Sequence, residues 1–370
     1  MKGSHKMKCT VGKEVLLTHL QKGCNIVSRR PVLPILNNVR LEAEDNTLNL
    51  KATDLEITIR TELRADVEYS GVTTLPAKSL LALVSKLKGD KIEIDCGDNH
   101  HAAIKCGSAE FLLKGLDPVD FPDDPLFESK RKIRLTQPEL GRMIDYVSYA
   151  VCQDSSRKTL QGILFSVKGN ILTTVATDGK RLAFVEKEVE ESSGDGDIIL
   201  PSRTALELRR LLGEEGTVEL EISERHIRVR FSDTLLYSKL VEGSYPNFRQ
   251  IVPGSFQKML DIPRDAVLQT LDLLAVPLTA DISNLKLTFK RGALEFFSRN
   301  DTVGEGKDRL EVAYDYDDPL EITFNYQLLQ APFRYVREDQ FRLQMNGANS
   351  PVMIEDGKGF HYILMPLRVK

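Results

Sequence analysis

The chain has 370 residues, 41% of them hydrophobic, and a formal net charge of −4 at pH 7. This length gives room for two or three domains. No apolar run is long enough to span a bilayer and no secretory segment precedes Met7, so the sequence predicts a cytoplasmic protein. Five scattered cysteines without a Cys-x-x-Cys pair favour reduced structural thiols over a metal site, and no cofactor is expected.

The first third of the chain alternates helices with groups of strands. Apolar residues at helical spacing predict a helix over 13–28, and Pro76 begins a second helix over 77–87. Alternation of apolar and polar residues predicts strands at 36–42, 48–52, 55–63, 91–95, 101–106 and 109–115. A proline-rich, acidic junction over 118–125 follows.

The same order of elements recurs twice. In the middle third we predict helices at 138–151 and 201–212, with strands at 162–167, 171–176, 182–189, 218–222, 227–232 and 234–241, and a polar loop at 191–197. In the last third we predict helices at 263–275 and 326–336, with strands at 285–290, 293–298, 308–316, 341–345, 352–355 and 362–366. Each repeat has two helix-and-strand halves, which suggests that it is itself a doubled unit.

Three short landmarks recur after about 124 residues. Thr53-Asp54 returns as Thr177-Asp178 and, more faintly, as Asn300-Asp301; Leu75-Pro76 returns as Leu200-Pro201, and Phe121-Pro122 as Tyr245-Pro246. One period shared by several landmarks indicates three copies of one domain. We expect these domains over residues 7–127, 133–254 and 255–370.

Charge is distributed unevenly along the chain. The six predicted helices with their flanks carry a net charge of +9, which leaves −13 for the strands and loops. Either lysine and arginine simply favour helices, or the helices share a surface that meets phosphate groups. The second interpretation predicts a nucleic-acid partner that the overall charge would not suggest.

No enzyme signature competes with this interpretation. The sequence has no Walker loop, no Gly-x-Ser-x-Gly and no His-Glu-x-x-His. Asp54 and Asp178 could act as paired catalytic acids, but each follows a threonine at a strand end, where a bond from side chain to backbone is the commoner use. We therefore expect no catalysis.

Three motifs give the chain a family resemblance. They are Thr177-Asp178-Gly179-Lys180-Arg181-Leu182-Ala183, Lys239-Leu240-Val241-Glu242-Gly243 with Tyr245-Pro246, and the terminal Met365-Pro366-Leu367-Arg368. From Met7 to its end, the chain resembles the bacterial DNA sliding clamp, the β subunit of replicative DNA polymerase III. The resemblance implies an α+β fold of three tandem clamp domains, each with two helices packed on antiparallel sheets, in a head-to-tail dimeric ring around duplex DNA.

The resemblance also implies binding surfaces. A hydrophobic cleft for short apolar peptide motifs of the polymerase III catalytic subunit, the clamp loader, other polymerases and repair proteins would use Leu160, Thr177, Gly179, Lys180, Arg181, Leu182, Pro246, Gln250, Ile251, Asn325, Leu328, Ile363, Leu364, Met365, Pro366, Leu367 and Arg368. DNA would face Arg30, Lys78, Gln153, Arg157, Lys158 and Arg203. Lys180, Gln250 and Leu328 depart from the residues frequent in the family at these positions.

Unpaired strand edges are the expected dimer interface, because an arc of three domains leaves two edges open. The expected residues are Phe111 and Leu113 at one edge and Val276 and Leu278 at the other. Two functions remain as alternatives: a scaffold that binds proteins without encircling DNA, and, more remotely, an enzyme. For the apolar chain end, packing of the last strand into the core is the alternative to a cleft.

Overall fold

The computed structural model describes residues 5–28, 32–279 and 281–368. The helices are α1 (Lys13–Ile26), α2 (Ala77–Lys86), α3 (Gln137–Ser148), α4 (Ser202–Leu211), α5 (Arg264–Leu274) and α6 (Tyr326–Tyr335). The first thirteen strands are β1 (His5–Gly12), β2 (Asn38–Glu44), β3 (Thr47–Thr53), β4 (Ile57–Arg64), β5 (Asp66–Tyr69), β6 (Gly71–Pro76), β7 (Lys91–Gly97), β8 (Ala102–Cys106), β9 (Ala109–Leu113), β10 (Arg131–Thr136), β11 (Gly162–Lys168), β12 (Ile171–Thr177) and β13 (Arg181–Glu188). The remaining strands are β14 (Glu191–Ser193), β15 (Gly196–Pro201), β16 (Thr217–Ile222), β17 (His226–Phe231), β18 (Thr234–Lys239), β19 (Lys258–Pro263), β20 (Asn284–Lys290), β21 (Ala293–Asn300), β22 (Gly304–Glu311), β23 (Leu320–Asn325), β24 (Gln340–Met345), β25 (Val352–Glu355) and β26 (Phe360–Leu364).

The chain divides into two compact units. The first comprises Met1–Pro138, Glu191–Ser193 and Arg210–Leu240, and the second comprises Glu139–Glu190, Gly194–Arg209 and Val241–Lys370. The middle repeat therefore contributes strands to both units.

The first unit contains two antiparallel sheets. Five strands have the order β5-β1-β7-β8-β9, and nine have the order β14-β10-β16-β17-β18-β4-β3-β2-β6. In the larger sheet, β18 of the middle repeat pairs with β4 of the first repeat, so the two repeats share one continuous sheet. Helix α1 lies close to this sheet, because a Cβ on Gly23 would come within 2.8 Å of Leu50. Its apolar face, including Leu16 and Leu20, is buried.

The second unit also contains two antiparallel sheets. Eight strands have the order β15-β11-β12-β13-β26-β25-β24-β19, and four have the order β22-β21-β20-β23. Here β13 of the middle repeat pairs with β26 of the last, in the same way that β4 pairs with β18 in the first unit. Fully buried aromatic side chains, among them Phe289, Phe324 and Phe360, fill the core of this unit.

The six predicted helices are all present, whereas eight of the strands were not predicted. Two of these, β5 and β14, are short, and each of the other six, β1, β6, β10, β15, β19 and β23, runs directly into a helix. Three of them end in a proline, Pro76, Pro201 and Pro263, which the sequence pattern assigned to the first helical turn because proline is favoured there. The predicted polar loop over 191–197 is wrong, since most of it belongs to β14 and β15. The strand predicted over 308–316 lies earlier, at Gly304–Glu311.

Candidate peptide-binding and DNA-facing sites

The turn between β12 and β13 is closed by the side chains of Thr177 and Asp178. The Thr177 hydroxyl donates to the carbonyl of Arg181 at 2.6 Å and accepts from the amide of Gly179 at 3.1 Å. The Asp178 carboxylate accepts from the amides of Lys180 and Arg181 at 2.9 and 3.1 Å. Gly179 has φ +88°, a left-handed conformation that glycine adopts without strain. Short polar side chains therefore fix this turn locally.

Arg181 is held from three directions. Its Nε donates to Asp178 at 3.0 Å, its Nη2 donates to the carbonyl of Tyr149 at 2.6 Å, and the guanidinium lies 5.7 Å from the centre of the Tyr149 ring. Tyr149 stacks on Tyr335 of α6 with ring centres 4.6 Å apart. Burial raises the pKa of the Tyr149 and Tyr362 phenols, so both stay neutral beside Arg181. Asp178 is then the acidic partner that balances the arginine charge.

The chain end lies against this turn. After β26, the amide of Met365 donates to the carbonyl of Lys180 at 3.1 Å, and the amide of Leu367 donates to the carbonyl of Thr323 at 2.7 Å. Residues 365–367 thus run from the turn to β23, just before α6. Met365 remains 41% exposed, whereas Leu364 before it is fully buried. The last strand packs in the core, and the three residues that follow it form surface.

An apolar floor lies beneath this surface. Leu182 and Ile363, which pair across β13 and β26, are buried in one hydrophobic cluster with Val175, Phe248 and Met353. Tyr245 and Val252 from the following loop pack against the same cluster. In that loop Pro246 and Gln250 are exposed, and Ile251 is also exposed. Leu160 is buried in a short 3-10 helix, Lys158–Gln161.

The start of α6 forms the remaining side of the candidate cleft. The Asn325 carboxamide caps the helix by accepting from the amide of Leu328 at 3.1 Å, and it donates to Ser283 at 2.7 Å. Leu328 is half-buried, and its carbonyl accepts from the Tyr362 hydroxyl at 2.7 Å. All the cleft residues expected from the sequence belong to the second compact unit.

The predicted DNA-facing residues are placed unequally. Arg30 lies outside the described residues. Lys78 on α2, Gln153, Lys158 and Arg203 on α4 have exposed side chains. Arg157 is also exposed, but its guanidinium donates to the carbonyl of Asp178 at 3.4 Å and lies beside Gly179, so it borders the candidate cleft. Spacing along the sequence could not show this contact.

Several residues of the cleft were not predicted. Tyr149 and Tyr335 carried no sequence signal, because an isolated tyrosine in or next to a helix is commonly part of the core. Asp178 was recognised only as a turn residue, and the structure gives it the additional contact with Arg181. Of the residues expected at the two strand edges, Phe111 lies on the edge strand β9 and is exposed, and Val276 just after α5 is 75% exposed. Leu113 and Leu278 are half-buried, and Leu278, like Val276, lies after α5 and not on a strand edge as expected.

The described part of the chain gives little support for a metal site, a membrane-spanning helix or catalytic acids. No group of three or more His, Cys, Asp or Glu side chains there could hold a metal ion. None of its helices is long and apolar enough to cross a membrane. Asp54 and Asp178, the candidate catalytic acids, both accept backbone amide bonds within their own turns.

Comparison with known proteins gives one consistent result. Family models match the N-terminal domain of the DNA polymerase III beta subunit at residues 7–125, its central domain at 134–247 and its C-terminal domain at 249–368. The chain is 32% identical to the beta sliding clamp of Caulobacter vibrioides, over 98% of this chain and 100% of that protein. The sliding clamp of Pseudomonas aeruginosa, solved with griselimycin bound, is 30% identical with a TM-score of 0.93, covering 98% of this chain and 100% of that one. The clamp of Bacillus subtilis, 23% identical over 99% of this chain and 100% of that one, shares the fold with a TM-score of 0.95.

Proposed function

The chain belongs to the DNA polymerase III beta subunit family, the bacterial sliding clamps, and we propose on this basis that it is a processivity factor that encircles duplex DNA. In this proposal two copies join head to tail in a closed ring of six domains, bounded at residues 7–127, 133–254 and 255–370. The ring slides on DNA without reading its sequence, works in the cytoplasm, uses no cofactor and catalyses no reaction.

Exposed apolar residues at two places support the dimer. In the first unit, Phe111 and Leu112 are exposed on β9, whose outer side pairs with no described strand. In the second unit, Leu273 is exposed in the last turn of α5 and Val276 is exposed just after this helix. Strand β22 is an edge strand of its sheet. Edge strands with exposed apolar side chains are favourable sites for pairing with another chain. We propose that β9 of one protomer pairs with β22 of the other.

The positions of the lysines and arginines support a contact with DNA. Lys78, Gln153, Lys158 and Arg203 all present exposed side chains. The net charge of +9 over the helical segments is modest for a protein held by phosphate contacts alone, because each such contact weakens as salt rises. We therefore propose that the closed ring, more than direct contact, retains the protein on DNA.

The cleft beside the chain end is proposed to tether the partners. The observation that carries this proposal is the position of Met365, which is bonded to the turn at Lys180 yet leaves its side chain exposed beside an apolar floor. Short extended peptides with an apolar pair from the polymerase III catalytic subunit, the clamp loader, other polymerases and repair proteins would fit there. Methionine is adaptable, which suits a site that serves several partners.

Retention on two forms of DNA tests encirclement. The protein is loaded on nicked circular DNA and washed at a salt concentration that abolishes its direct binding to a linear fragment. We expect it to stay on the circle and to dissociate when a restriction enzyme cuts the circle. Equal loss from both forms would favour the alternative, a scaffold that binds proteins without encircling DNA.

A further inference from the structure

The first compact unit contains a second copy of the turn that supports the peptide cleft. The Thr53 hydroxyl donates to the carbonyl of Ile57 at 3.0 Å and accepts from the amide of Leu55 at 3.1 Å. The Asp54 carboxylate accepts from the amides of Glu56 and Ile57 at 3.0 and 2.8 Å. These four bonds match, donor for donor, those made by Thr177 and Asp178.

The backbone contact between this turn and the end of the neighbouring strand also matches. In the first unit the amide of Lys239, at the end of β18, donates to the carbonyl of Glu56 at 3.1 Å. In the second unit the amide of Met365, just after β26, donates to the carbonyl of Lys180 at the same distance. The register of β18 against β4 makes Ser238 the counterpart of Leu364 and Thr58 the counterpart of Leu182. The backbone frame of the cleft, meaning the Thr-Asp turn bonded to the end of the neighbouring strand, is therefore present twice.

A cavity of about 130 Å³ opens at this second frame. It is lined by Thr53, Leu55, Glu56, Thr58, Pro122, Asp123, Pro125, His226, Tyr237, Ser238 and Lys239. A cavity of about this size holds a group of roughly six carbon atoms, which corresponds to one aliphatic side chain and not to a larger ligand.

The wall formed by Pro122 and Pro125 is fixed in place. Lys51 donates to the carbonyl of Pro122 at 2.6 Å and pairs with Asp124 at 2.8 Å, and Arg60 pairs with the same carboxylate at 3.0 Å. At the other end of this segment, Phe127 packs edge-on against the lining residue Tyr237, with ring centres 6.1 Å apart. Because these contacts hold both ends of the segment, the cavity is formed before any ligand arrives.

Leu55 is held in an unfavourable conformation at the rim. Its φ is +75°, whereas the matching position in the second unit is Gly179 with φ +88°. A residue with a Cβ is strained there, and Leu55 is also 41% exposed. Leu126, which follows the lining residue Pro125, is 99% exposed. Strain and exposed apolar surface coincide beside a ready-made cavity, a combination that occurs at binding sites.

We propose that this cavity is a second, weaker docking site for an extended segment of a partner protein, which inserts one aliphatic side chain between Leu55 and the Pro122–Pro125 wall. The choice of a peptide segment as the occupant rests on the proposed function, since the frame matches that of the cleft proposed to bind peptides. Thr58, Ser238 and Lys239 stand where the cleft has Leu182, Leu364 and Met365, so the apolar contact is smaller. Among the lining residues, the Thr53 and Thr58 hydroxyls bond each other at 2.8 Å and Lys239 pairs with Glu56 at 2.9 Å, so these four polar side chains do not require a polar ligand group.

Disulfide tethering tests the site in the full chain. The variant Leu126→Cys places an exposed thiol one residue after the lining residue Pro125, and it is equilibrated with the blocked dipeptides acetyl-Leu-Cys-amide and acetyl-Ser-Cys-amide under rising β-mercaptoethanol. Mass spectrometry gives the fraction of mixed disulfide. We expect the leucine dipeptide to withstand about tenfold more reductant than the serine dipeptide, because only leucine buries apolar surface.

Two further variants test whether the preference for the leucine dipeptide depends on this cavity. Adding Leu55→Gly, which gives the turn the residue of its counterpart, should remove the preference for leucine without lowering the melting temperature. The variant Ile171→Cys, an exposed position in the second unit, should show no preference. Equal tolerance of both dipeptides with Leu126→Cys, or a preference that survives Leu55→Gly, would overturn the proposal. Removing residues 365–370, which we expect to abolish peptide binding at the cleft, should leave the tethering result unchanged, so this test does not depend on whether the cleft itself binds peptides.

Discussion

Substitution of Asp178 separates the two tasks of this carboxylate, closing the turn and pairing with Arg181. Asp178→Ala removes two amide hydrogen bonds, at 2.9 and 3.1 Å, and an ion pair at 3.0 Å. Hydrogen bonds to a charged acceptor contribute about 1.5–3 kcal/mol each when buried, but this turn is partly exposed and water replaces part of the loss. We expect the free energy of opening the turn to fall by about 2–3 kcal/mol.

Asp178→Asn is the matched control. Its amide oxygen can still accept from the amides of Lys180 and Arg181, whereas its amide nitrogen replaces Oδ2, so the charge and the hydrogen bond from Arg181 Nε are lost. The two side chains of the pair are 20% and 15% exposed, which places this pair between surface and buried cases. We expect a loss of about 1 kcal/mol for this substitution.

Hydrogen exchange followed by mass spectrometry measures both effects locally. Protection of the amides at 179–181 should fall about 30- to 150-fold in Asp178→Ala and about fivefold in Asp178→Asn, since 1.4 kcal/mol corresponds to a factor of ten. Affinity for a leucine-containing peptide, measured by fluorescence anisotropy, should weaken in the same order. If both variants lose protection equally, the ion pair and not the turn hydrogen bonds holds the segment. If neither loses protection, the β12–β13 ladder suffices and our reasoning about the turn is wrong.

Four other outcomes are expected. Deleting Met365–Lys370 should abolish binding of a short apolar peptide, by calorimetry, while the melting temperature stays nearly unchanged; normal binding would place the cleft elsewhere. Phe111→Glu should shift the light-scattering mass toward a monomer, because a charge then replaces an apolar side chain at the sheet edge. Burial lowers the pKa of His19 despite Asp233, so the unfolded chain takes up the proton more readily: stability to urea should fall as pH drops below about 6.5, and His19→Gln should reduce this dependence. Leu55→Gly should leave the urea midpoint unchanged or raise it, because relief of a positive φ offsets the lost side chain.

The repeat and the helices could be predicted from the sequence because both depend on local patterns. Helical spacing of apolar residues and a shared period need no knowledge of distant contacts. The strands before each helix could not be predicted, since prolines such as Pro201 fit the first helical turn as well as a strand end. The contact of Arg157 with Asp178 depends on two loops meeting in space, and the family resemblance, which implied a DNA contact for Arg157, did not indicate it.

The sequence only partly indicated that the two Thr-Asp turns have the same geometry. A leucine at 55 and a glycine at 179 differ as much as residues can in backbone preference, yet both adopt positive φ. The shared geometry comes from the threonine hydroxyl and the aspartate carboxylate, whose bonds override the preference of the residue that follows them.

The turn residues fix the backbone and the strand side chains contact the ligand, which explains how repeated domains can acquire different ligands. Thr53-Asp54 and Thr177-Asp178 carry the turn bonds, so the neighbouring strand positions are free to change without altering the frame. In the second unit those positions hold Leu182 and Ile363, which build an apolar floor. In the first unit the counterpart of Leu182 is Thr58, whose hydroxyl is already bonded to Thr53, so the floor is closed to a large apolar ligand. Ligand preference thus depends on a few strand side chains, while the fold depends on the turn.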